Sequence, residues 1–155
     1  MNLKTNTNIL ILSHFTLKDS ENGEQFPGNI RNYLLNKVGK LVYIDHPFIK
    51  SQGALSDFLS SQMRVYDKAV KIYQLTSPRL KLPSFILFIY QFILTIFFIL
   101  WKPIKYDLCI ACDNLSFISV FVFKKMGLIK KIIYYTVDYT PKRYSNYLLN
   151  SLYQK

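Results

Sequence analysis

The sequence predicts an α/β fold: a Rossmann-like, mainly parallel sheet of about five strands with helices on both faces. Three observations carry this. Short apolar, β-branched runs alternate with helix-length stretches along most of the chain. Several of these runs are apolar without a break, as strands buried on both faces are. Residues 106–144 read as strand, helix, strand and the start of another helix, which is a right-handed βαβ unit followed by a further element.

At 155 residues the chain is long enough for a single domain, 1–155, with a real core. Half of its residues are hydrophobic, which excludes a disordered chain.

The first strand is NILILSH, residues 8–14, ending at His14. A polar stretch follows, and then Ile30, Leu34, Leu35 and Val38 recur at helical spacing, with Asn29 as a cap and Gly39 as a stop. Residues 41–44 form the second strand, broken by Asp45-His46-Pro47. His46 reads as a turn residue. Residues 48–67 carry a weak signal, with a short helix suggested by Leu55, Phe58 and Leu59, and residues 70–75 form a third strand. Residues 107–113 are the fourth strand, Asn114 can cap a helix over 115–123, and Gly127 offers a left-handed stop. Residues 131–138 are the fifth strand.

Residues 84–101, SFILFIYQFILTIFFILW, carry no charge. As a helix the stretch would be about 27 Å long, close to one hydrocarbon thickness. A span would separate the fourth strand from the first three. Three readings stay open: a helix embedded in the membrane surface, a buried crossover, or a single span.

The formal charge of +11 fits nucleic acid, an anionic membrane surface or anionic substrates. The lysines are scattered between apolar runs, so the expectation is no nucleic acid and an anionic membrane surface as partner. Cys109 and Cys112 are spaced C-x-x-C, but inside a predicted strand, where positions three apart point to opposite faces. They read as reduced core thiols. No signal peptide opens the chain, and the expected location is cytoplasmic, peripheral on the inner face of the membrane.

In sheets of this kind ligands gather at the carboxyl ends of the strands, where neighbouring connections diverge. Polar residues cluster at four such ends: His14, Asp45-His46, Asp113-Asn114 and Asp138. With the first and fourth strands adjacent, His14 falls beside Asp113 and Asn114, and Asp138 lies one strand out. His14, Asp113 and Asp138 are the catalytic candidates, as bases toward a sugar or other hydroxyl; each could equally close a turn or cap a helix. Gly28 and Asn29 form a helix start suited to a phosphate. Lys142 and Arg143 could hold a diphosphate or a lipid phosphate. No dinucleotide fingerprint, Walker lysine, nucleophile elbow or metal-ligand cluster is visible, so neither a metal nor a resident cofactor is expected.

YDLCIACDN, an apolar helix, and then KKIIYYTVDYTPKRYSNYLLNSLYQK together resemble the amino-terminal half of GT-B glycosyltransferases, especially the family-four-like group. Tyr135, Asp138, Tyr139, Pro141 and Arg143 carry most of the resemblance. It implies a Rossmann-like domain that binds the acceptor, with a nucleotide sugar as co-substrate bound mostly by a second, carboxyl-terminal donor domain. It also adds Tyr139 to the substrate-binding residues, beside Gly28, Asn29, Asn114, Lys142 and Arg143. The expectation is an acceptor-binding half that moves sugar to a glycan or lipid-linked acceptor only with a donor domain or partner chain. A non-catalytic membrane-associated partner and a small single-span protein are the alternatives.

Overall fold

The computed structural model describes residues 6–14, 26–47, 60–78, 80, 82–101 and 103–135. The chain runs β1 (Asn8–Ser13), α1 (Phe26–Leu35), β2 (Lys40–Asp45), β3 (Gln62–Asp67), β4 (Val70–Thr76), α2 (Ser84–Trp101), β5 (Tyr106–Ala111), α3 (Asn114–Lys125) and β6 (Ile129–Tyr134). The fold is α/β, with a six-stranded sheet in the order β4-β3-β2-β1-β5-β6. β2, β1, β5 and β6 run parallel. β3 is antiparallel to β2, and β4 to β3.

The sheet is therefore mixed and has six strands, where about five parallel ones were expected. The unforeseen strand is β3, which inserts between β2 and the expected third strand. Its sequence alternates, with Met63 and Val65 buried and Gln62 and Arg64 partly exposed. The turn after it conceals the hairpin. Lys68 and Ala69 both take positive φ, 45° and 69°, as a two-residue type I′ turn requires, yet neither is the usual Asn, Asp or Gly.

The two faces of the sheet are filled separately. Leu10, Leu12, Val42, Ile44 and Cys109 pack with Phe98 and Ile99 of α2 and Val120 and Phe123 of α3. Ile9, Ile11, Leu41, Tyr43 and Cys112 pack on the other face, with Leu34 of α1 and Val38. The two cysteines thus lie on opposite faces, both free and buried. Burial pushes the Cys112 thiol up to about 12, and Cys109 well above its ordinary value.

The helix ends differ in detail from expectation. α1 begins at Phe26, so Gly28 and Asn29 stand in its first turn rather than at its cap; Pro27 fits there because a first-turn residue has no intrahelical N–H bond to lose. Asp113, not Asn114, caps α3: its carboxylate accepts the Ser116 N–H at 2.9 Å. At the far end the Leu128 N–H bonds Phe123 O and the Gly127 N–H bonds Lys124 O, both at 3.0 Å. With Gly127 at φ +75° this is a Schellman stop.

α2 connects β4 to β5, two strands of one sheet, so it does not separate the halves of the fold. Among the described residues no helix is long and apolar enough to cross a membrane. α2 crosses over within one sheet, which sets aside the single span, and its ties to the sheet are polar. Gln91 and Thr95, four residues apart on one face, are fully buried. Gln91 Nε2 donates to Pro47 O at 2.9 Å, and Thr95 Oγ1 lies 2.8 Å from His46 Nε2.

Candidate functional site

The parallel strands β1 and β5 are neighbours, but the helices that follow them in the chain pack on opposite faces of the sheet. β1 leads toward α1 on one face, and β5 turns into α3 on the other. This is the switch point of the sheet, and His14 and Asp113 stand at its carboxyl edge.

The structure joins them tightly. Asp113 Oδ2 accepts the His14 backbone N–H at 2.9 Å and the Ser116 hydroxyl at 2.6 Å. Asp113 Oδ1 accepts the Ser116 N–H at 2.9 Å and lies 3.1 Å from His14 Nδ1. Both side chains are about 95% buried. Burial alone would raise the Asp113 carboxyl, but His14 and the Ser116 donors outweigh it and hold it well below the usual carboxylate range. A carboxylate only accepts, so Nδ1 of His14 carries a proton, and in the neutral ring Nε2 keeps its lone pair.

Behind His14 lies His46, with ring centroids 4.9 Å apart and the planes tilted by 31°. His46 is fully buried rather than set in an exposed turn. The Thr95 hydroxyl donates to Gln91 O at 2.9 Å, so it accepts from His46 Nε2–H; Nδ1 then accepts from Ser61 Oγ at 2.9 Å. Every polar atom of a neutral imidazole is thereby used. Burial, and after it the adjacent His14, push His46 well below its usual pKa. His46 is held neutral as the back wall of the site.

In front of His14 is a cavity of about 60 Å³, lined by His14, Phe88 and Phe92 of α2, and Leu115, Ile118 and Ser119 of α3. That is room for about two water molecules, or for one hydroxyl-bearing carbon. The geometry assigns distinct chemistry to the two central groups. Asp113 spends its lone pairs on four donors and orients the imidazole; Nε2 is the ring nitrogen that neither Asp113 nor Ser116 engages.

Asn114 opens α3 beside this pair and is partly exposed. Gly28 and Asn29 belong to α1, which packs on the opposite face of the sheet from the cavity. Asp138, Tyr139, Lys142 and Arg143 lie outside the described residues. Among the described residues no group of three His, Cys, Asp or Glu side chains is arranged to hold a metal ion. Sequence reasoning missed Gln91, Thr95 and Ser116, and placed His46 at a strand end but read it as a turn residue. The signal for Gln91 and Thr95 was present, as a polar pair four apart in an otherwise apolar helix. Ser116 stands three residues after Asp113, the spacing at which a cap meets its N–H.

No protein-family model, curated protein or solved structure matches the chain.

Proposed function

We propose that this chain is the acceptor-binding half of a sugar transferase and that His14 is its base. The observation that carries the reading is the buried His14–Asp113 pair, set at the switch point with a small cavity before it. The Rossmann-like character of the domain, its likeness to family-four GT-B enzymes and its peripheral place on a cytoplasmic membrane face belong to the same reading. A hydroxyl in the cavity gives its proton to His14 Nε2. Its oxygen bonds to the anomeric carbon of a nucleotide sugar, and the bond from that carbon to the diphosphate oxygen breaks, the electron pair leaving with the diphosphate. Asp113 stabilises the imidazolium. The donor is held mainly by a second domain or partner chain; Lys142 and Arg143 are the proposed contacts to the diphosphate or to an acceptor phosphate, Tyr139 a substrate contact, and Asp138 a second candidate base toward the acceptor hydroxyl.

The test is transfer of labelled sugar from nucleotide-sugar donors in membranes of cells that make the protein or His14→Ala at native level. His14→Ala should lower transfer by about 100-fold or more while the protein stays folded. Equal transfer by the variant rejects the role of His14. Transfer that persists unchanged on deletion of the gene rejects the enzyme. One observation favours a second reading: the four bonds to Asp113 are also structural, two tying it to His14 at the end of β1 and two capping α3. A non-catalytic partner of a donor domain would show their effect on stability and none on chemistry.

A further inference from the structure

α2 is built inside out. Its polar residues Gln91 and Thr95 are fully buried, while Phe85, Ile89, Ile93, Phe97 and Trp101, spaced four apart, are each 46–56% exposed. They form one apolar stripe along the whole helix. α3 extends it with exposed Ile118, Phe121 and Val122. A surface helix facing water has the reverse pattern, and a contiguous exposed apolar face marks a contact with something other than water.

Charge identifies the contact. The stripe carries no charged residue, but it is bordered by cations. Lys124 and Lys125 occupy the last turn of α3, exposed, with Lys125 Nζ 5.5 Å from the ring centre of Phe121. Lys105 is exposed just beyond α2, and in the sequence Arg79, Lys81 and Lys102 flank the helix. An apolar strip with a basic rim, on a chain of charge +11, complements an anionic bilayer: the rings and branched chains enter the acyl boundary and the lysines stay at the headgroups. Trp101, whose ring is tilted 45° against that of Phe97 with centroids 5.2 Å apart, suits the interfacial level.

The cavity before His14 lies at the seam of the same two helices. Four of its six lining residues, Phe88, Phe92, Leu115 and Ile118, are apolar, and they offer nothing to read the hydroxyls of a sugar ring. We propose that the α2–α3 face seats on an anionic bilayer, and that the acceptor is a membrane amphiphile whose single hydroxyl reaches His14 through this seam. The acceptor class rests on the sugar-transfer reading; the docking face does not.

Trp101 is the sole tryptophan and reports directly. With the full chain, vesicles of phosphatidylcholine containing one third phosphatidylglycerol should shift its emission to the blue, and brominated acyl chains should quench it. Affinity for pure phosphatidylcholine should be about tenfold weaker or less, and salt should weaken the anionic contact. Ile89→Ser with Ile93→Ser, both at exposed positions, should cost about tenfold or more in vesicle affinity with an unchanged circular dichroism spectrum. Emission indifferent to vesicles, or a double variant that binds as wild type, overturns the docking face. So does a dimer in sedimentation whose Trp101 is already shielded before vesicles are added, which would assign the face to a second copy. For the acceptor class, Ile118→Trp in a Trp101→Phe background places a reporter at the seam. Its emission should move with decanol and not with glucose; the opposite result, or no response to decanol, overturns the amphiphile. Docking without gene-dependent sugar transfer would leave the face standing and remove the transferase.

Discussion

Asp113 takes hydrogen bonds from both the backbone and the ring of His14, at 2.9 and 3.1 Å, while it caps α3 through Ser116. One carboxylate therefore fixes the end of β1, the start of α3 and the tautomer of the imidazole between them.

Asp113→Ala should destabilise the fold by about 3–5 kcal/mol, because it leaves buried donors of His14 and Ser116 without their acceptor. The folded carboxyl is held below its unfolded pKa, so its contribution is complete above about pH 5 and is lost as pH falls through the lower, folded value. In urea titrations the gap between wild type and variant should be full at neutral pH and should close only in strong acid. A gap under about 1 kcal/mol at pH 7 would show that the bonds to Asp113 are not structural.

Asp45 behaves in the opposite sense. It is buried at the end of β2, Arg64 is 3.8 Å away, and its Oδ1 has no hydrogen-bond partner. Burial pushes its pKa up to about 6, against the pull of Arg64 and Arg31. The folded state then binds the proton more tightly than the unfolded state, so Asp45 lowers stability as pH rises from about 4 to 6. Asp45→Asn should be more stable than wild type at pH 7, by up to about 3 kcal/mol, and should lose that slope. Parallel pH profiles for the two proteins would contradict this account.

The β3–β4 turn holds Lys68 and Ala69 in the left-handed region, where a Cβ costs about 1 kcal/mol or more. Lys68→Asn with Ala69→Gly should raise stability by about 1 kcal/mol without altering the strands. Thermal unfolding checks it; a lower melting temperature would mean that the loop lost more in chain entropy than it gained in strain relief.

Cys109 and Cys112 should both resist a thiol reagent in the native protein at pH 8, and both should react after unfolding. Their faces are opposite and burial disfavours each thiolate. An intramolecular disulfide in native protein would require β5 to be broken at its end.

The central parallel strands were legible because NILILS, KLVYID and YDLCIA are apolar runs with little else to be. The juxtaposition of His14 with Asp113 followed from strand order alone. β3 was not legible, since a strand with Gln, Arg and Asp along it and a turn without glycine resembles a loop until its partner is known. The role of His46 was hidden for a related reason: a His before Pro looks like a turn, and only tertiary packing brings Thr95 and Ser61, from α2 and from the residue preceding β3, onto its two nitrogens. The inward polarity of α2 was concealed by its hydropathy, because one Gln and one Thr are swamped within eighteen uncharged, mostly apolar residues.

The pairing of β1 with β5 has a consequence for biosynthesis. His14 and Asp113 are 99 positions apart, so at about 5–20 residues per second the ribosome takes about 5–20 s to deliver the second after the first. Throughout that interval the edge of β1 that pairs with β5 has no strand to close it, and late in the interval α2 is made, its apolar rings delivered before β5 exists. A nascent chain of this order completes α2 while the edge of β1 that β5 will cover is still open.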